Sequence, residues 1–231
     1  MIFAALEPAA LNATVILSPG IALANTLGEK NNRPLSAALD QSGLSAPYVS
    51  GTTDFLTYTA TTTNATGNGN IFRSDNPTGF IDLDLGGLFN ITGLALWNVN
   101  GSRAVRDFEI FVSADATFST VTSLAAFTDV TQGNGGVLEA QALTFSSGAL
   151  TRYVRLQITD NYGHNNQVSF GELGFQATPE PSTLVLTACA LGLFVFWNRR
   201  KAISAPALQR AAVDSSAPYS KNRRTSSIEL L

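Results

Sequence analysis

The feature that most constrains this sequence is an alternation of apolar and polar residues, with a period of two, between residues 35 and 175. In the segment FIDLDLGG, Ile81, Leu83 and Leu85 share one face of an extended chain, and Asp82 and Asp84 share the other. Successive side chains of a β-strand point to opposite faces, so this pattern is typical of a strand with one buried face. The segments RDFEIFVS and RYVRLQITD repeat it. The alternation therefore predicts several half-buried strands.

The segments between these strands are rich in Gly, Asn, Asp and Ser, which favour turns. The runs ITGLALWNV, AQALTFSS and QVSFGELGF have the length of further strands, and no helical stripe appears between residues 35 and 175. The pattern predicts one all-β domain, an antiparallel β-sandwich. Its predicted core positions are Phe108, Ile110, Val112, Val154, Leu156 and Ile158. Asp82 and Asp84 are predicted to be solvated, and residues 59–70 to form a long exposed loop.

The charged residues and the rare residue types exclude several classes of function. Between residues 25 and 178, one lysine and six arginines stand against 13 acidic residues, which argues against a nucleic-acid partner. The chain has one cysteine, Cys189, and one histidine, His164, so it can form neither an internal disulfide nor a zinc site with two histidines. It also has no GxSxG motif. We therefore expect no catalytic residues and no enzymatic activity.

The first 24 residues are apolar and end in Ala22-Leu23-Ala24, a pattern that a signal peptidase can cut. However, this segment has no Lys or Arg before its apolar run, and it carries Glu7 and two prolines. Two interpretations stay open: a degraded or wrongly started export signal, and a lead-in that is disordered or forms an edge strand.

The C-terminal part of the sequence changes character at residue 178. The residues TPEPST precede an uncharged run from Pro181 to Asn198, which three basic residues follow at 199–201. Eighteen helical residues span about 27 Å, enough for a bilayer core, and basic residues hold their end of such a helix in the cytoplasm. The predicted organisation is a β-sandwich over 25–177, a membrane helix at 182–197 within a segment 178–201, and a disordered basic tail at 202–231.

Six segments, read in order, resemble the discoidin domain, also called the coagulation-factor C-type domain. They are ALDQSGLSAPYVSGTTDFLTY, FIDLDLGG, ITGLALWNVN, VRDFEIFVSAD, TRYVRLQITDNYG and VSFGELGF, and they cover residues 35–175. The resemblance implies the galactose-binding-like jelly-roll fold. It also implies ligand recognition by loops at one end of the sandwich.

The segment 178–201 resembles the PEP-CTERM sorting signal through Pro179, Glu180 and Pro181, the apolar run, and Arg199, Arg200 and Lys201. The resemblance implies a Gram-negative bacterium and an exosortase-type enzyme that cuts the anchor. The β domain would then lie on the periplasmic side of the inner membrane, and after processing at the cell surface or in the extracellular matrix. The alternative is a single-pass anchor that is never cut.

The discoidin resemblance also implies a structural calcium between Asp40 and Glu172, because family members hold this ion between an early Asp-containing loop and a Glu on the last strand. Calcium needs several oxygen ligands, so a hydrogen-bonded carboxylate at a strand end is the alternative for Glu172. The ligand-binding candidates lie in the segments WNVNGSRAVR and TDNYGHNNQ. Trp97 among them ends an apolar strand, which favours a core residue over a ligand contact. The candidates are Trp97, Asn98, Asn100, Arg103, Tyr162, His164, Asn165 and Asn166.

These features favour an exported, non-enzymatic surface or matrix module that binds carbohydrate or exopolysaccharide. Two alternatives from other classes stay open. One is an accessory domain or divergent enzyme that acts on extracellular polysaccharide, and the other is a purely structural surface protein.

Overall fold

The computed structural model describes residues 14–179. Residues 1–13 and 180–231 lie outside the described residues. The predicted membrane helix at 182–197, the basic cluster at 199–201 and the tail at 202–231 belong to this part, as does the sorting motif from Glu180 onward. Over 14–179, none of the helices combines the length and the apolar character that crossing a membrane requires.

Strands make up half of the described residues. The two helical segments are a 3-10 turn at Leu35–Ala38 and one short helix, α1, at Phe55–Thr61. The strands are β1 Val15–Leu17, β2 Ile21–Asn25, β3 Thr63–Ala65, β4 Phe72–Arg73, β5 Gly79–Asn98, β6 Val105–Ser113, β7 Val121–Phe127, β8 Val137–Glu139, β9 Gln141–Asn161 and β10 Ser169–Thr178.

The strands pair in the order β1-β10-β5-β9-β6-β7, with β2 also on β5 and β4 also on β10, and β3 pairs with β8. All these pairs are antiparallel. The longest strands, β5 and β9, run side by side, and their register shifts between Asp84 and Phe89. Gly86 lies in this shift with φ of 80°, which a residue with a Cβ rarely adopts. A strand that bends at such an irregularity can contribute to both sheets of a sandwich. The observed architecture is all-β, which confirms this part of the predicted fold class.

The main core contains five of the six positions that the alternation predicted. Phe108, Ile110, Val154, Leu156 and Ile158 are at most 2% exposed, and the sixth, Val112, is partly buried and packs against the same cluster. A second apolar cluster contains Trp97 from β5, Ile16 from β1 and Phe55 and Tyr58 from α1.

The prediction that Asp82 and Asp84 are solvated is wrong, since both residues are less than 9% exposed. Arg155 of β9 lies opposite Asp82 and donates to both its carboxylate oxygens, over 2.6 and 2.9 Å. Arg152 holds Asp84 in the same way, over 2.7 and 2.8 Å. Cross-strand arginines therefore cover this face of β5, and the polar residues of the alternation are buried in ion pairs rather than hydrated.

The β domain also begins before residue 25. Strand β1 pairs with β10 and strand β2 pairs with β5, so part of the segment 1–24 belongs to the sheet. Ile16 is fully buried and Leu17 is 2% exposed, which shows that these residues contribute to the core. The residues predicted as an exposed loop, 59–70, include the end of α1 and all of β3, and Asn64 within them is fully buried.

Candidate functional site

A cleft of about 380 Å³ opens among the connections between strands. The turn that joins β5 to β6 forms one wall and contributes Asn100, Ser102 and Arg103. Strand β4 contributes Arg73, and the segment after β2 contributes Arg33. The cleft therefore combines three guanidinium groups with short polar side chains.

Backbone hydrogen bonds fix the elements that carry the arginines. The amide of Arg73 donates to the carbonyl of Arg33 over 3.2 Å, and the amide of Ser169 donates to the carbonyl of Arg103 over 2.8 Å. Strand β4 in turn pairs with β10 through Arg73 and Ser169. The side chain of Arg103 is oriented by Gln167, whose Oε1 accepts from its Nε over 2.7 Å. The three arginines are thus held by one hydrogen-bonded frame.

The positive charges of the arginines in the cleft lower the pKa values of neighbouring groups. Burial lowers the pKa of Arg73, and the nearby positive charges of Arg33 and Arg103 lower it further. The Nε of Arg73 is buried and has no hydrogen-bond partner among the described residues. Burial also lowers the pKa of His164, and Arg103 and Arg73 add to this effect. These effects favour the neutral form of His164, which can serve as a hydrogen-bonding group beside the cleft.

Two of the residues predicted to bind ligand line the cleft, Asn100 and Arg103. The other six do not. Among these, the alternative interpretation of Trp97 as a core residue is confirmed, and Asn98 is buried as well. Trp97 is fully buried, and its indole N–H donates to the carbonyl of Thr62 over 3.1 Å. Asn98 is also fully buried; its amide group bonds the backbone of Val105 in both directions, over 2.7 and 2.9 Å. Both residues lie at the end of an apolar strand, where they hold the β5–β6 connection rather than a ligand.

The second predicted segment, which contains Tyr162, His164, Asn165 and Asn166, lies against the turn that lines the cleft. The amide of His164 donates to the carbonyl of Ser102 over 3.1 Å. The hydroxyl of Tyr162 donates to the carbonyl of Val130 over 2.9 Å, so this side chain is structural. Asn165 and Asn166 are exposed.

Sequence reasoning missed Arg33 and Arg73. Neither belongs to a recognisable motif, and the topology brings them beside Arg103 from 30 to 70 residues away. The available signal was only the scarcity of basic residues in an acidic domain.

The calcium candidates Asp40 and Glu172 are brought together. The amide of Gln41, next to Asp40, donates to Oε2 of Glu172 over 3.1 Å. Glu172 is fully buried, in an irregularity of β10 between Phe170 and Leu173. Burial and the neighbouring charge of Asp40 raise the pKa of Glu172 to about 9.

The other oxygen of Glu172, Oε1, is buried without a partner among the described residues, which fits a cation. Over the same residues, however, no group of three or more His, Cys, Asp or Glu is placed to hold a metal. A calcium ion here would therefore need backbone carbonyls and water for its remaining ligands.

A larger groove of about 510 Å³ lies between β2 and the 3-10 turn. Its lining includes the apolar residues Ile21, Leu23, Leu35 and Leu39 and the acidic residues Glu29 and Asp40. Within residues 14–179, no arginine or histidine lines this groove, so these residues offer few donors for a polar ligand.

Residues 60–173 match the family model described as the F5/8 type C domain. No curated protein sequence matches the chain.

Several solved structures are similar to this chain. One is the family 32 CBM of C. perfringens NanJ in complex with galactose, with 16% identity, a TM-score of 0.47, and coverage of 71% of this chain and 98% of that one. Another is CBM32-1 from a family 31 glycoside hydrolase of Clostridium perfringens, with 15% identity, a TM-score of 0.43, and coverage of 71% and 94%. A fragment of a putative chitobiase from Bacteroides thetaiotaomicron has 15% identity, a TM-score of 0.39, and coverage of 48% and 70%. Residues 60–173 are therefore similar to an F5/8 type C, or discoidin-like, domain, and the all-β architecture agrees with this similarity.

Proposed function

We propose that this protein is a non-enzymatic module that binds carbohydrate through the cleft lined by Arg33, Arg73, Asn100, Ser102 and Arg103. The observation that carries the proposal is the concentration of hydrogen-bond donors in this cleft, within a domain similar to the F5/8 type C family. Guanidinium, amide and hydroxyl groups suit the oxygen-rich surface of a sugar, and such groups fix the orientation of a ligand in a pocket.

A glycan array tests this proposal on the purified full-length chain. We expect binding to a restricted set of saccharides, and we expect Arg103→Ala to abolish it. The matched control is Lys30→Ala, which also removes one positive charge, but from an exposed pair with Asp75 outside the cleft lining. Binding to no glycan would leave the purely structural alternative. Release of reducing sugar from a bound polysaccharide would instead support the enzyme alternative.

A calcium ion at Asp40 and Glu172 is the second part of the proposal, and it rests on the unpartnered Oε1 of Glu172. Calcium bound there would stabilise the folded state, because a ligand that binds only this state raises the free energy of unfolding. A chelator should therefore lower the melting temperature of the wild type, and added calcium should restore it. Asp40→Asn should weaken this response. A melting temperature that changes with neither chelator nor added calcium would contradict the proposed calcium site.

We further propose that residues 178–201 sort the protein through an exosortase-type enzyme, after an inner-membrane stage with the β domain on the periplasmic side. The sequence features alone support this step. The mass of the mature protein should be lower in cells that contain the exosortase than in cells that lack it, and Glu180→Ala should remove the difference. Identical full-length masses in both cell types would indicate a permanent anchor.

A further inference from the structure

The basic residues of the β domain divide into two groups. Residues 14–179 contain seven of them, namely Lys30, Arg33, Arg73, Arg103, Arg106, Arg152 and Arg155. Four form ion pairs with aspartates: Lys30 with Asp75, Arg106 with Asp107 and Asp160, Arg152 with Asp84, and Arg155 with Asp82. The remaining three, Arg33, Arg73 and Arg103, have no carboxylate within salt-bridge distance among the described residues, and all three line the same cleft.

This arrangement is costly in a folded protein without a ligand. Like charges that converge in a partly buried cleft repel one another, and water screens them less than it does at an open surface. Arg73 bears most of this cost, because its Nε is buried and bonds to nothing in residues 14–179. The domain also has 13 acidic residues between 25 and 178, yet none of them lines the cleft. An anion in the cleft would remove the repulsion and provide the missing acceptor.

We propose that the cleft binds the acidic group of an anionic polysaccharide, a carboxylate or a sulfate, so that the ligand is an acidic sugar rather than a neutral one. This inference rests on the proposed carbohydrate-binding function and specifies its substrate class. Guanidinium groups are suited to it, because their planar fork donates two parallel hydrogen bonds to a carboxylate or sulfate. Asn100 and Ser102 supply neutral groups for the hydroxyls of the same sugar.

The charge of the rest of the domain argues against the two other classes of anionic partner. A nucleic acid or an anionic membrane presents phosphates over an extended area. Thirteen acidic residues against seven basic ones give the domain a net negative charge, which repels such a surface. A saccharide can enter the cleft with one or two acidic groups and leave the acidic faces of the domain in solvent.

The experiment is a calorimetric titration of the full-length chain with an oligomer of galacturonic acid and with the same oligomer after reduction of its carboxyl groups. A sulfated dextran oligomer tests the sulfate source. We expect the galacturonate or the sulfated oligomer to bind at least about tenfold more tightly than its neutral counterpart, and higher salt to weaken it. Arg73→Gln and Arg103→Gln should each lower the affinity about tenfold or more, whereas Lys30→Gln should change it less than about twofold.

A second measurement uses only the wild type, so it does not depend on whether a variant folds. His164 is the only histidine of the chain, so its NMR signals report on one site. An anion bound among Arg73 and Arg103 offsets the charges that lower the pKa of His164, and this pKa should therefore rise when the acidic oligomer is added to the wild type. The neutral oligomer should leave it unchanged.

The outcomes separate this inference from the function on which it rests. Equal binding of acidic and neutral oligomers, with affinity unchanged in Arg73→Gln, would overturn the acidic ligand and leave carbohydrate binding intact. Binding to no saccharide of either kind would overturn both. Binding to vesicles of anionic phospholipid, with none to the oligomers, would overturn both in favour of a membrane surface.

Discussion

Removal of one partner from the ion pair between Asp82 and Arg155 should destabilise this domain more than the same change in a pair at its surface. Its two bonds measure 2.6 and 2.9 Å, and the two side chains keep only 6% and 18% of their exposure. The guanidinium also stacks over the ring of Phe80, 3.8 Å from its centre, and lies 5.0 Å from that of Phe118. The change to make is Asp82→Asn, which keeps the shape of the side chain and removes its charge.

The structure provides a matched control for the magnitude. Lys30 and Asp75 have the same closest distance, 2.6 Å, but 45% and 44% of their side chains are exposed. Asp75→Asn should therefore cost at most about 1 kcal/mol. Removal of one partner from a fully buried pair costs about 3–5 kcal/mol, and the residual exposure of Arg155 places Asp82→Asn at about 2–3 kcal/mol. The difference between the two variants isolates the effect of burial.

Urea unfolding followed by circular dichroism measures both variants, with the free energy of unfolding extrapolated to water. A larger loss for Asp82→Asn than for Asp75→Asn, by at least about 1 kcal/mol, is the expected result. Equal losses, or a smaller loss for Asp82→Asn, would refute the reasoning that an unpaired charge costs more when it is buried beside the aromatic rings.

Three further predictions concern the core, the site and the response to acid. Leu156→Ala should lower the free energy of unfolding by about 2–5 kcal/mol in the same assay, because Leu156 is 2% exposed. Trp97→Phe should lower the free energy of unfolding by about 1–3 kcal/mol, because the carbonyl of Thr62 loses its donor. It should not change the affinity for glycan. A weaker affinity would indicate that Trp97 belongs to the binding site. Hydrogen bonds from Arg152 lower the pKa of Asp84. The wild type should therefore have a higher free energy of unfolding than Asp84→Asn. This advantage should be full above about pH 4 and disappear as the pH falls through the lowered pKa. An advantage that persists in acid, measured by unfolding at several pH values, would contradict that assignment.

The strands could be predicted because a local feature, the alternation of apolar and polar residues, follows the burial of their side chains. The alternation around Leu83, Ile110 and Leu156 reports which face is buried, and these three residues are at most 2% exposed. The same pattern could not show that Asp82 is buried as well. That depends on Arg155, 73 residues later, lying opposite it on the neighbouring strand.

Helix α1 was not predicted, because its residues have only modest helix propensity. Four of its seven positions, in the sequence FLTYTAT, are Thr or Tyr, which have modest helix propensity. Its signal was Asp54, whose side chain accepts from the amide of Thr57 over 2.8 Å and caps the first turn. Packing of Phe55 and Tyr58 in the second apolar cluster stabilises a helix that propensity alone does not predict.

The candidate site was predictable only in the part that follows a predicted strand. Asn100 and Arg103 come directly after β5, so their place in a connecting loop could be read from the sequence. Arg33 and Arg73 reach the cleft through long-range pairing, which no local pattern encodes. Asn98 differs in the other direction, since it is a residue type common in sugar sites but its side-chain amide holds the backbone here.

The measurement that tests the central claim most directly is NMR mapping of the bound saccharide on the isotopically labelled full-length chain. The saccharide selected by the glycan array is added stepwise, and the changes in backbone amide shifts are followed residue by residue. The account predicts that the largest changes fall on Asn100, Ser102, Arg103 and Arg73, around the cleft. Changes centred instead on Ile21 and Leu23, in the apolar groove beside β2, would contradict it.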